Sequence, residues 1–186
     1  MTDQAEYGIN QHKHTYACWT AARAYGRNLA GGGNQQAREL IDAVSLSKVV
    51  SPDDLGDDVS AWLLDKMQGI VDYAEKKGIT GITFGRAQKL VNIYFKTTFV
   101  CGGHVDHPKV AKLHPPLDWQ LIKTLKPLFR ANTGDGAYAA LLAAQKKCSG
   151  WTAFNRDDYV AHINAIQMFL GDRPMWMIEQ HWSPHD

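Results

Sequence analysis

A chain of 186 residues, 45% hydrophobic and 21% charged, has the size and make-up of one globular domain and too little length for two ordinary ones. A net charge of only +1 argues against a strongly electrostatic DNA binder, although local basic groups exist at Arg86, Lys89 and Lys96 and at Lys109, Lys112, Lys123 and Lys126. No run approaches the roughly 18 apolar residues of a membrane span, and three cysteines are too few for a four-cysteine iron–sulfur cluster.

The polar, acidic residues 1–10 do not resemble a signal peptide, and few, odd-numbered cysteines fit a reducing compartment, so a soluble cytoplasmic protein is expected. Residues 11–30 carry Ala17, Ala21, Ala22 and Ala24 among Tyr16, Trp19 and Leu29, contain no proline and run into Gly31-Gly32-Gly33, which predicts a helix packed on several sides. Asn34 is placed to cap a short helix through Val44. Ser51-Pro52-Asp53-Asp54 has a cap, an early proline and early acids, the signs of a helix start that Gly56 interrupts. Over 58–77, Trp62, Leu63, Met67, Ile70, Val71 and Ala74 recur at helical spacing, and Lys76-Lys77-Gly78 supplies the stop.

A tight glycine-rich turn, 78–83, leads into a helix over 84–100, so that two long helices form a hairpin. Cys101-Gly102-Gly103 ends it and a loop follows to Leu117. Asp118 is expected to N-cap a helix through Leu125, with Pro127 discouraging continuation. Further helices are predicted over 135–147, 157–170 and 174–182. No alternating run makes a convincing strand, and the fold class is an all-α, single-domain bundle of about seven helices over residues 1–186, the hairpin bordering a cleft.

The helix over 84–100 carries the chemistry. Ala87, Leu90, Val91, Tyr94, Phe95 and Phe99 give it a broad apolar surface, interrupted by a narrow polar stripe of Lys89, Asn92 and Lys96 bordered by Gln88. A lysine near the positive end of a helix dipole, partly desolvated, is pushed toward the neutral amine that a nucleophile requires. Downstream, two prolines stiffen the approach to Asp118. The plain alternatives are a solvated stripe with extended lysines and a carboxylate that only caps a helix.

Arg86, Lys89 and Asn92 behind the glycine turn, followed by Pro116-Leu117-Asp118, resemble the helix-hairpin-helix DNA glycosylases across about 78–125. The turn glycines Gly81 and Gly85 lie farther from the lysine than is usual there, and the interval from Lys89 to Asp118 is most similar to that of the archaeal 8-oxoguanine glycosylases. The resemblance implies a base flipped from double-stranded DNA, Lys89 as the nucleophile at C1′ and Asp118 as its assisting carboxylate, with AP-lyase activity as a further step. It implies a base pocket drawn from Tyr16, Trp19, Gln88, Asn92 and Trp119, with Trp62 behind, and backbone contacts from Thr80, Gly81, Thr83, Gly85, Arg86 and Lys96. An oxidised purine, or a hypermodified phage cytosine in an antiviral defence role, are the substrates it leaves open. This reading needs no cofactor and no membrane, and takes the chain as a monomer.

Two rivals stand beside it. Cys101, His104 and His107 with His114, or His12, His14 and Cys18, would supply ligands for a metal-dependent hydrolase. The stretch from Met175 to Trp182 would serve a non-enzymatic interaction module as an apolar docking face. Motifs of serine hydrolases, P-loops and Rossmann folds are absent from the sequence.

Overall fold

A computed structural model describes residues 7–26, 29–132, 135–148 and 150–182. These residues are built from helices and turns, with no strand among them. The α-helices are α1 (Ile9–Tyr25), α2 (Asn34–Ala43), α3 (Val59–Lys76), α4 (Phe84–Phe95), α5 (Pro108–Ala111), α6 (Trp119–Asn132), α7 (Asp135–Lys147) and α8 (Arg156–Leu170). No described helix is long and apolar enough to cross a membrane.

The bundle is organised around α4, all of whose residues are buried. Helices α1, α3 and α8 pack against it, as does the 3-10 turn Trp151–Ala153. Its start is set locally: the Thr83 side chain accepts from the Arg86 amide at 3.2 Å, and Gly78 and Gly81 take the positive φ angles (+68° and +80°) that the preceding turn demands. Gly85 is a packing glycine, because a Cβ there would lie 1.7 Å from the carbonyl oxygen of Trp151. Asp58 caps α3 through the Ala61 amide, and Asn155 with Asp158 forms a capping box on α8.

Several boundaries differ from expectation for identifiable reasons. Helix α1 stops at Tyr25, where the buried Arg86 guanidinium takes the terminal carbonyl; part of the predicted stretch, 27–28, lies outside the described residues. Gly33, not Asn34, holds the cap position of α2. Ser51 caps only a 3-10 turn, Pro52–Asp54. Helix α4 widens into a π-helical turn, Lys96–Val100, closed by Cys101 N–H to Lys96 C=O at 2.8 Å. Helix α6 runs through Pro127 to Asn132: Pro127 sits on the solvent side with Lys123, whose freed carbonyl water can satisfy, while Leu121, Ile122, Leu125 and Phe129 keep the opposite face buried. The last segment is a 3-10 helix, Met175–His181, with Met175 and Ile178 buried.

Candidate active site

The stripe on α4 meets the start of α6. Lys89 is only 3% exposed, and its Nζ donates to Asp118 Oδ2 at 3.1 Å. Burial pulls the amine's pKa below its ordinary value, and the Asp118 carboxylate opposes that shift. The Trp151 ring centre lies 5.7 Å from Nζ. Asp118 has a second duty, since its Oδ1 accepts from the Leu121 amide at 2.9 Å and so caps α6. The indole N–H of Trp182 spans both carboxylate oxygens at 3.0 and 3.2 Å.

The approach to Asp118 is locked from α4. Gln88, fully buried, donates from Nε2 to the Leu117 carbonyl at 2.7 Å and accepts from the Leu117 amide at 3.1 Å. Asn92 Nδ2 faces three acceptors: Gln88 Oε1 at 3.0 Å, the Pro115 carbonyl at 3.2 Å and the Tyr159 hydroxyl at 2.9 Å. Its Oδ1 is buried without a partner. Because Tyr159 accepts from Asn92, its own proton is directed to His114 Nδ1, 3.0 Å away. Burial holds the His114 imidazole down to about 4, so it is neutral at pH 7.

A second ion pair flanks the first. Lys96, at the π-helical turn, pairs with Glu179 of the last 3-10 segment. Burial raises the Glu179 carboxyl above its usual range against the pull of Lys96. The Trp182 ring lies 5.9 Å from Lys96 Nζ, so one indole stands between the two pairs.

Lys89 and Asp118 form part of the walls of two adjoining clefts. One, of about 500 Å³, is bounded by Arg23, Gly26, Gly32, Trp119, Gln120 and Trp151. The other, of about 380 Å³, is bounded by Tyr16, Ile93, Lys96, Pro116, Glu179 and Trp182. A buried amine that lines two clefts beside a carboxylate, with an aromatic ring close by, has the placement of a nucleophile or a general base once it is unprotonated.

Not every predicted site residue reaches the clefts. Tyr16 and Trp119 do, and Trp19 stacks on Tyr16 at the rim. Gln88 and Asn92 line neither cleft: both are buried and committed to the frame of the Pro115–Leu117 approach. Trp62 packs on Phe95 away from both clefts. Of the predicted backbone-contact residues, Lys96 is held by Glu179 and Arg86 by the Tyr25 carbonyl. The Gly85 amide donates to the Phe154 carbonyl and the Thr83 hydroxyl to the Thr152 carbonyl, so these donors are occupied within the bundle. Thr80 and Gly81 are both exposed at the turn. Glu179, Trp151 and Trp182 were not anticipated; the single acid within the run 175–182 is a signal for Glu179 and its neighbour Trp182, and no local signal marks Trp151.

The metal arrangement is not formed. His107 Nε2 lies 3.1 Å from Asp53, His104 sits edge-on to Phe99, and Cys101 is exposed. His14 bridges Asp42 and the Tyr94 hydroxyl, and His12 meets Tyr7. Among the described residues no three His, Cys, Asp or Glu side chains converge as ligands would. The stretch from Met175 to Trp182 is likewise not a free docking face, because Met175 and Ile178 close the core and Trp182 covers Asp118. No known protein family, curated protein or solved structure matches the chain.

Proposed function

We propose that the protein is a DNA glycosylase that excises a modified base, with Lys89 as nucleophile and Asp118 as its assisting carboxylate. The observation that carries this reading is the buried Lys89–Asp118 pair, 3.1 Å apart between two aromatic-walled clefts, its amine depressed by burial. A surface lysine stripe would have neither the burial nor the partner.

In this reading the unprotonated Nζ attacks C1′ of the target nucleotide. The C–N bond forms as the glycosidic bond breaks, and the bonding electron pair leaves with the base. The proton shed by the new ammonium passes to Asp118, and opening of the sugar with protonation of O4′ leaves a Schiff base on Lys89. The Trp182 N–H holds the carboxylate in place, while the neighbouring Lys96–Glu179 pair offers a donor and an acceptor to the edge of a base in the second cleft.

The test is borohydride trapping on labelled oligonucleotides carrying 8-oxoguanine, uracil or glucosylated hydroxymethylcytosine, with Lys89→Ala as control. An adduct with one base that the variant does not form identifies the reaction, the nucleophile and the substrate. Absence of both adduct and abasic product across the panel removes the glycosylase reading.

A further inference from the structure

Three large aromatic side chains that line the clefts beside the Lys89–Asp118 pair stand partly in solvent, Tyr16 (55% exposed), Trp119 (54%) and Trp182 (38%), and Trp19 (45%) stacks on the first of them. They are not scattered. Tyr16 and Trp182 border one cleft, and Trp119 borders the other. On α1, Tyr16, Trp19, Thr20 and Arg23 occupy i, i+3, i+4 and i+7, a single stripe two turns long whose Tyr16 and Thr20 line one cleft and whose Arg23 lines the other. Within it the Tyr16 and Trp19 rings are stacked, centroids 5.7 Å apart and planes 27° apart, and the exposed Arg23 guanidinium lies 5.3 Å from the Trp19 centroid. Exposing two stacked rings and a cation to water gains nothing for folding. It does present a flat π surface flanked by positive charge.

Several of the groups that the hairpin would offer to the phosphates of a duplex are spent elsewhere, leaving Thr80 and Gly81 exposed at the turn. Arg86, the Gly85 amide and the Thr83 hydroxyl all bond within the bundle, and the chain's net charge is +1. A duplex offers phosphates on the outside and keeps its base faces stacked inside; a single strand offers the faces. We infer that the α1 stripe of Tyr16, Trp19 and Arg23 is a stacking platform for unpaired nucleotides, and that the protein's substrate is single-stranded or locally unpaired nucleic acid held chiefly by base faces. The identity of the ligand as nucleic acid rests on the glycosylase reading above. The platform delivers the strand along the rim, so that the nucleotide beyond it enters the cleft lined by Lys89, Asp118 and Trp182.

Fluorescence anisotropy with a short labelled, unmodified oligonucleotide, single-stranded and as its duplex, at low and at physiological salt, tests this. The expected result is tighter binding of the single strand, a shallow dependence on salt, and a loss of roughly 5- to 150-fold in single-strand affinity for Trp19→Ala. Trp19→Tyr, which keeps a ring, restores most of it. Trp19 lies at the surface, so the variants are expected to fold, which circular dichroism verifies. Duplex binding equal to or tighter than single-strand binding, no binding of either form, or an unchanged affinity in Trp19→Ala overturns the platform. The trapping assay is read separately: adducts that form equally well in Trp19→Ala sink the platform and leave the glycosylase reading standing. Ring-dependent single-strand binding with no adduct on any base does the reverse.

Discussion

Gln88 takes both backbone polar groups of Leu117, donating to its carbonyl at 2.7 Å and accepting from its amide at 3.1 Å. Leu117 directly precedes Asp118, so a side chain one position before the candidate nucleophile fixes the backbone of the residue one position before its carboxylate. The two reacting groups are thereby registered through a single amide. Replacing Gln88 with Leu leaves a buried N–H and C=O unpaired and removes an acceptor from Asn92, a loss of about 2–5 kcal/mol in stability. Gln88→Glu retains the acceptor but removes the donor, and should let Asp118 drift. Single-turnover trapping should slow by about 10- to 100-fold with unchanged substrate affinity. Weaker affinity at an unchanged rate would instead make Gln88 a substrate-binding residue.

The two halves of the Lys89–Asp118 pair should differ in what their removal costs. Lys89→Met removes one partner of a buried pair and leaves the Asp118 carboxylate without its cation, but that carboxylate is less buried than the amine and keeps the Leu121 and Trp182 N–H donors, so the loss should be about 1–3 kcal/mol. Its melting temperature should fall by about 2–4 °C per kcal/mol for this size, while trapping disappears. Asp118→Ala strands the amine, uncaps α6 and frees the Trp182 indole, and should cost about 3–5 kcal/mol. Thermal denaturation of the two variants side by side checks both. A strongly destabilised Lys89→Met would mean that the amine is chiefly a structural element.

The pH dependence of trapping follows from the same pair. Burial lowers the Lys89 pKa and the Asp118 carboxylate partly restores it. Trapping should therefore rise with pH to a plateau reached below the ordinary lysine range. Asp118→Asn removes the restoring charge and should move that rise to lower pH, even as it lowers the plateau. A rise that stays in place would show that the carboxylate does not act on the amine.

Gly85 tests the packing that presents α4. A Cβ at this position would meet the Trp151 carbonyl oxygen at 1.7 Å and the Phe154 side chain at 3.2 Å. Backbone cannot rotate away as a side chain would, so Gly85→Ala should destabilise by at least about 3 kcal/mol, at the upper end of overpacking effects. Chemical denaturation measures it. A mild effect would mean that the 3-10 turn Trp151–Ala153 is free to move off α4.

The residues themselves explain what was legible before the structure. The apolar spacing of α3, the cap at Asp118 and the glycine turn into α4 are local signals, and those elements formed where they predict. The polar stripe on α4 was visible, but its division of labour was not. Lys89 faces a cleft while Gln88 and Asn92 turn into the approach to Asp118, and partners 23 to 67 positions away in the chain decide that. Arg86 read as a phosphate contact because the Tyr25 carbonyl that claims it belongs to another helix. Glu179 and Trp182 stayed hidden inside an apolar run whose role depends on folding back over α4 and α6.

His114 closes the chain of hydrogen bonds that begins at Gln88, and it makes the fold acid-sensitive. Its folded pKa is held to about 4 by burial against 6.5 for the free side chain, so between those values the unfolded chain binds more protons than the folded one. The contribution is complete above pH 6.5 and is lost as pH falls toward 4, an amount on the order of 3 kcal/mol. His14 and His162 are shifted the same way by burial and add to the slope. His114→Gln keeps an acceptor for the Tyr159 hydroxyl but cannot titrate. At neutral pH the variant should be less stable by about 1 kcal/mol. Its stability should then fall less steeply between pH 6.5 and 4, so that the two denaturation curves converge or cross. Parallel curves would assign the acid sensitivity to His14 and His162 and release His114 from the role its hydrogen bond to Tyr159 gives it.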